Sequence, residues 1–274
     1  MYGDYWQLDC LPFENNGDPQ FFYRTPAHEA ALLKLQYVIE QEKGAALLIG
    51  GHGLGKTYLT QVLEYELPET NRPVVRLMFP RLDGVQTLRL IARRLGAPIN
   101  DHQTEVPPEQ IIAHLEDRLR QLAEEGRSPV LIVDDAHLIE SPEVLQSLAL
   151  LMNASQVCGV SLSLVFVGQP ELLRQVERVP SLNDRIAVRT ALKPLSCDET
   201  SDYIRHRLRM AGLDSCMFNA EALRSFSTLA KGAPRKINQL CDLALLVGYA
   251  DRLPTLTDAE VTAAAQELTC VSID

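Results

Sequence analysis

The chain of 274 residues is 46% hydrophobic and 23% charged, ordinary values for a globular protein and enough length for one large domain or two modest ones. Its formal charge of −10 and pI near 5.1 oppose the broad attraction to nucleic-acid backbones or anionic membranes that a basic protein has, so any such contact must be local. No apolar run approaches the ~18 residues of a spanning helix, MYGDYWQLDC lacks the plan of a signal peptide, and Cys10, Cys158, Cys197, Cys216, Cys241 and Cys270 fall in no metal or disulfide spacing. The expectation is a soluble cytoplasmic protein with reduced, mostly buried thiols.

In chain order, an aromatic start (Tyr2, Tyr5, Trp6, Phe13, Phe21, Phe22, Tyr23) precedes a helical segment at 27–42, with Ala30, Leu33, Tyr37 and Ile39 as its apolar stripe. AALLIG (45–50) reads as a short buried strand, and YLTQVLEYEL resumes helical spacing. PVVRLMF (73–79) is a second strand, 83–96 and 108–126 are helices, and PVLIVDD (129–135) is a third strand. A helix at 142–153 leads to strands at 160–168 and 185–193. Such alternation predicts a mainly parallel sheet with helices on both faces. From about Pro194 the strand signals stop, and DETSDYIRHRLRMAG, NAEALRSFSTLAKG, PRKINQLCDLALLVGYA and TDAEVTAAAQEL read as helices separated by Gly, Pro and Asn breaks. The predicted organisation is an arm at 1–26, an α/β domain at 27–193 and a smaller helical domain at 194–274.

Gly50, four residues, then Gly55, Lys56 and Thr57 match the phosphate-loop pattern GxxxxGK[ST], placed after a predicted strand and opening a predicted helix. Glycines let backbone amides turn inward around phosphates, and the helix start points its partial positive end at the same anion. Gly50, Gly51, His52, Gly53, Leu54, Gly55, Lys56, Thr57 and Tyr58 therefore form the expected nucleotide-binding stretch. Lys56 would neutralise the terminal phosphates and Thr57 would ligate Mg2+. His52 and Tyr58 are not expected to do chemistry, and Tyr58 is expected to pack under the sheet or toward the base.

VLIVDD ends a predicted strand on two carboxylates, the place where open α/β sheets carry ligand groups. Asp134 suits the Mg2+ shell, and Asp135 suits orienting and deprotonating the attacking water. The other reading of the pair is a cap on the segment DAHLIESPE.

The series GGHGLGKT, LIVDDAH, LVFVGQPEL, SLNDRI, ETSDYIRHRL and GAPRKINQLCDLAL resembles the AAA+ ATPases of the general secretion pathway protein A (ExeA) type, and more loosely the TniB/TnsC transposition ATPases. The resemblance spans almost the whole chain and includes the PF pair and aromatic stretch of LPFENNGDPQFFYRTPAHEAAL. It implies a P-loop NTPase αβα sandwich with a parallel five-stranded sheet, followed by a small all-helical lid. It further implies that Gln169 is a polar sensor near the γ phosphate, and that Arg185 is an arginine finger reaching a neighbouring subunit's nucleotide, with Arg189 as a second candidate. Arg235, in GAPRKIN after Gly232 and Pro234, matches the lid sensor that returns a guanidinium to the γ phosphate. The family usually carries Asp-Glu where this chain has Asp134-Asp135, which implies slower hydrolysis.

The basic run RHRLR (205–209) reads either as a solvated helix face or as a contact for nucleic acid or a partner's carboxylates. The aromatic arm is expected to fold across the adenine edge of the pocket or to dock on a neighbour. The leading functional expectation is an ATP-binding, ATP-hydrolysing protein that oligomerises on nucleotide in a ring or filament and remodels or assembles a protein partner in secretion or envelope assembly. The alternatives are an ATP-dependent DNA-binding transposition regulator that recruits a transposase, and a nucleotide-gated binding module with slow turnover. ExeA-type proteins commonly continue into a membrane segment and a peptidoglycan-binding domain, so any inner-membrane association is expected through a partner.

Overall fold

A computed structural model describes residues 2–67, 72–78, 81–99 and 106–270. The chain opens with α1 (Tyr2–Trp6) and α2 (Pro26–Glu40); proline suits a first helical position, whose N–H has no intrahelical acceptor. β1 (Ala45–Ile49) leads through the glycine stretch into α3 (Lys56–Glu66), and β2 (Val74–Leu77) follows. α4 (Gly84–Arg94) is capped by Asp83, which accepts from Gln86 N, and α5 (Pro108–Glu124) again starts on proline. β3 (Val130–Val133) runs into a 3-10 turn at Ala136–Leu138, and Ser141 caps α6 (Pro142–Val157). β4 (Ser163–Gly168), α7 (Glu171–Glu177), α8 (Pro180–Asn183) and β5 (Ile186–Ala191) come next. The last elements are α9 (Cys197–Met210), α10 (Ala220–Ala230), α11 (Pro234–Ala250) and α12 (Asp258–Cys270).

The chain divides into two compact units, one of His28–Gly50 and Leu59–Leu192, the other of Met1–Ala27, Gly51–Tyr58 and Lys193–Asp274. The first is built on a five-stranded sheet in the order β2-β3-β4-β1-β5, with every neighbouring pair parallel. Parallel strands need crossovers, and the helices that supply them cover the strands, so β3 and β4 are buried along their whole length. Leu47, Leu119, Leu148 and Phe166 are fully inaccessible, each contributing about 1.5–3 kcal/mol of transfer free energy.

The strands are shorter than the apolar runs suggest, because β-prone residues at 160–162 and 192–193 continue past the hydrogen-bonded pairing. Phe79 lies outside the described residues. α7 and α8 were not expected; at seven and four residues they are too short to show a repeating apolar stripe. The expected stripe on α2 is also displaced: Ala30, Leu33 and Tyr37 face solvent, while His28, Ala31, Leu32, Leu35, Val38 and Ile39 are buried. An almost continuous apolar sequence fits several helical phases equally well.

The second unit contains the helices α9 to α12, and its core includes the aromatic arm. Trp6 is buried among Phe13, Phe226, Ile237, Leu240 and Leu245, and its indole N–H donates to Leu245 O at 3.1 Å. The Phe218 and Phe226 rings meet edge to face with centroids 4.9 Å apart. Arg207 is the other anchor. Its guanidinium donates to Tyr203 OH at 2.9 Å and to Glu14 O at 2.8 Å, and it stacks over Phe21 at 4.9 Å. Tyr2, Trp6 and Phe13 are therefore packed into the helical core of this unit, which corrects the expectation that the arm's aromatics lie across an adenine or dock on a neighbour. RHRLR likewise is not a continuous basic face: Arg207 is buried at its centre, and Arg205 pairs with Asp202. Among the described thiols, Cys158 and Cys241 are buried and Cys216 is half-buried, while Cys10 and Cys197 are exposed on the arm and at the first position of α9, so fewer are buried than expected. Among the described residues, no helix is long and apolar enough to cross a membrane.

Trp6 is the chain's single tryptophan, so its fluorescence reports on the packed arm. Trp6→Ala is expected to lower unfolding stability by about 3–5 kcal/mol, read as a shifted urea midpoint by circular dichroism. An unchanged midpoint would show that the arm contributes nothing to the helical core.

Candidate functional site

The glycine stretch departs from the end of β1. Gly53 and Gly55 adopt φ of +72° and +85°, the left-handed region that glycine enters without a Cβ penalty. Lys56 is then the first residue of α3 and is buried, with its ammonium folded back to donate to Gly51 O at 2.9 Å. The first N–H groups of a helix have no intrahelical acceptor, and its dipole favours negative charge there.

Arg235, near the start of α11, belongs to the same unit and meets this loop. Its backbone N–H donates to Gly53 O at 3.2 Å, and Nη1 lies 3.4 Å from His52 Nε2. A Cβ on Gly53 would stand 3.2 Å from the Arg235 Cβ, so this glycine serves both the backbone turn and the close approach. The turn that aims Arg235 passes through Gly232 at φ +67°, where a Cβ would fall 2.1 Å from Leu195 O. An ammonium and a guanidinium meet one loop at a helix start, a donor set that fits a polyphosphate. Tyr58, at the end of the loop, packs within its own unit. It donates its hydroxyl to Asp18 O and meets Phe22 edge to face at 5.3 Å, and burial pushes its phenol above the ordinary value, so it remains a donor.

In the sheet unit, Asp134 and Asp135 follow the carboxyl end of β3 and have opposite environments. Asp134 is buried; its Oδ2 lies 3.3 Å from Arg76 Nη1, and its Oδ1 accepts from the Asp135 N–H at 3.0 Å. Arg76 projects from β2 and also holds Glu64 at 3.1 Å and Thr60 Oγ1 at 2.9 Å. Asp135 has left-handed backbone angles (φ 48°, ψ 36°), and its side chain is 56% exposed. Aspartate tolerates this region better than most residues, at a cost of about 1–2 kcal/mol. The capping alternative fails on geometry: Asp135 precedes the 3-10 turn but makes no side-chain cap bond, and Ser141 caps α6.

Gln169 follows the end of β4, with its Nε2 2.9 Å from His137 Nε2. His137 sits on the 3-10 turn, with Nδ1 3.9 Å from the nearer Asp135 oxygen. Gln175 of α7 pins that turn, donating from Nε2 to His137 O at 2.9 Å and Ile139 O at 3.0 Å. Asp134, Asp135 and Gln169 are thus brought to one edge of the sheet. Arg185 is not with them. Its carbonyl accepts from Ala45 N at 3.0 Å at the amino end of β1, and its guanidinium is held by Ser181 O and Asn153 Oδ1. Arg189 is exposed on β5, with Nη2 2.8 Å from Asn183 Oδ1.

Arg76, His137 and Gln175 were not singled out in the sequence. A charged residue interrupting PVVRLMF is a usable signal for Arg76, and the spacing DDAH is one for His137. Gln175 carries none.

The AAA domain family matches residues 39–176. The chain is 33% identical to general secretion pathway protein A of Aeromonas hydrophila over 272 residues, 98% of this chain and 48% of that protein, so it spans about half of the relative's length. Among solved structures, Cdc6p from Pyrobaculum aerophilum superposes with a TM-score of 0.75 at 17% identity, covering 93% of this chain and 70% of that one. The Aeropyrum pernix ORC2 protein, solved as ADPNP-ADP complexes, gives 0.70 at 18% identity, covering 94% and 72%. At these identities the structural likeness concerns the fold.

Removing Arg76 leaves a buried carboxylate without its cation, a change expected to cost about 3–5 kcal/mol. Arg76→Met should lower the urea midpoint by a matching amount, and Arg76→Met combined with Asp134→Asn should recover most of it. A double variant no more stable than Arg76→Met would show that the pair is not the source of the loss.

Proposed function

From the premise that this chain belongs to the AAA domain family, an ATPase family of nucleotide-binding proteins, we propose that it binds ATP at 50–58 and hydrolyses it to ADP and phosphate. One observation carries the reading: GGHGLGKT forms a loop with left-handed glycines that opens α3 on Lys56 and is met by Arg235. Loop amides and Lys56 hold the β and γ phosphates, and Arg235 senses the γ phosphate. Thr57 and Asp134 would supply hard oxygen donors for Mg2+, which would neutralise charge on the phosphate oxygens. Asp135 orients a water and takes its proton as the water oxygen bonds to the γ phosphorus and the bond to the ADP oxygen breaks. Gln169 aligns that water. The exposure of Asp135 supports its role, because a base that meets a water cannot be sealed in a salt bridge.

Arg185 acts on the nucleotide of a second copy. Its position at the amino edge of the sheet, away from its own Asp134 and Asp135, supports action in trans over action in cis. The work of the cycle is to assemble or remodel a protein partner in secretion or envelope assembly, in the cytoplasm or held at the inner membrane by that partner. The 33% identity to general secretion pathway protein A supports this context over transposition.

The test is ATP turnover and fluorescent ATP-analogue binding, with and without DNA. Lys56→Ala should abolish nucleotide binding. Asp135→Asn should retain binding and lose about 100-fold or more in kcat; full turnover in that variant would remove Asp135 as the base. Turnover per protomer should rise with protein concentration, and Arg185→Ala should remove that rise, with a loss of about 10³-fold in rate. Arg185→Ala that turns over normally at every concentration would rule out the finger in trans, and turnover that rises only with DNA would favour the transposition reading.

A further inference from the structure

His137 has no role in the scheme above, yet it stands between two residues that do. It lies on the 3-10 turn after β3, its ring is 13% exposed, and its Nδ1 is fully buried without a hydrogen-bond partner among the described residues. A buried, unpaired ring nitrogen costs stability unless it acquires a partner in another state.

The chemistry of its neighbours fixes the ring. With Gln169 presenting its amide nitrogen 2.9 Å from His137 Nε2, the assignment that satisfies both groups has Nε2 accepting and the ring proton on Nδ1. The opposite tautomer would set a ring lone pair against the Asp135 carboxylate. Nδ1–H therefore faces Asp135 Oδ1 at 3.9 Å, about 1 Å beyond a hydrogen bond. The carboxylate is exposed and accepts no hydrogen bond among the described residues, so a side-chain rotation suffices to close the gap. The turn itself is held from α7 by the two Gln175 bonds to His137 O and Ile139 O, which leaves the imidazole as the adjustable link.

We propose that His137 is a positioning residue: through Nε2 it is oriented by the Gln169 amide, and through Nδ1–H it holds the Asp135 carboxylate in line for the water. The proposal rests on the assignment of Asp135 as base and Gln169 as sensor. Its consequence is that a movement of Gln169 toward the γ phosphate reaches the base through one ring. The base is then aimed only when the sensor is engaged.

The test combines steady-state ATP turnover with ATP-analogue affinity for the wild type, His137→Ala, His137→Asn, Gln169→Ala and the Ala/Ala double variant. His137→Ala should lose about 10–100-fold in kcat, the scale of other ligand-orienting partners, while KM and analogue affinity stay at wild-type values. Retained affinity separates this from misfolding. His137→Asn, whose amide N–H overlays Nδ1–H, should recover part of the loss. The double variant should fall no lower than the worse single variant, because both substitutions break the same link. A His137→Ala protein that turns over at the wild-type rate while Asp135→Asn is inactive overturns this proposal alone, as do losses that multiply in the double variant. A wild type without turnover, or an active Asp135→Asn, overturns the base assignment and this proposal with it.

Discussion

In a parallel sheet every strand delivers its carboxyl end to one edge and its amino end to the other, and the chemistry of the sheet unit depends on that polarity. β4 lies between β3 and β1, with Val133 opposite Phe166 and Ile49 opposite Gly168. The acids that follow β3, Asp134 and Asp135, and Gln169 that follows β4 share one edge because of the register. Arg185 precedes β5 and is paired with Ala45 at the opposite edge. Roughly five strand residues at ~3.3 Å each separate the two edges, about 16 Å. No arginine rotamer spans that distance back along its own sheet, so Arg185 does not reach the edge that carries Asp134 and Asp135 of its own chain.

The two aspartates show how one peptide step separates a buried, paired carboxylate from an exposed one. Asp134 continues the direction of β3 into the interior, and there it would be costly as a free carboxylate. Arg76, on the neighbouring strand β2, resolves the cost and draws in Glu64 and Thr60, so that one guanidinium ties β2, α3 and the end of β3 together. The backbone then flips to the left-handed region at Asp135, which turns the next carboxylate outward. Strain of this kind is retained where surrounding structure over-determines it. Here the 3-10 turn, held from α7 by Gln175, supplies that determination.

What was legible in the sequence is what is local. The phosphate-loop pattern, the strand that ends on two acids and the glycine-proline turn before Arg235 each lie within a dozen residues, and the alternation of periods gives the layered fold. Features made by distant pairings were not legible. Arg207 reads as one cation in a basic run until its bond to Glu14, 193 residues away in sequence, removes it from the surface. Tyr2, Trp6 and Phe13 read as an arm for an adenine edge or a neighbour until helices about 200 residues later enclose them. The stripe on α2 failed for a different reason: with apolar residues at most positions, spacing alone does not choose among the possible helical phases.

The shorter side chain at Asp135 bears on more than rate. A glutamate there would carry its carboxylate about 1.5 Å farther along one more rotatable bond, with more side-chain entropy to lose before each turnover. Aspartate on a left-handed backbone has fewer arrangements, and one of them faces His137. The missing methylene and the histidine two residues later therefore belong to one arrangement, in which reach is exchanged for orientation. In the proposed scheme, an acid that is short, exposed and steered by a ring hydrogen-bonded to Gln169 would be active only in the geometry that Gln169 sets. On this view the departure from Asp-Glu moves control of hydrolysis from the length of the base to the placement of its neighbour.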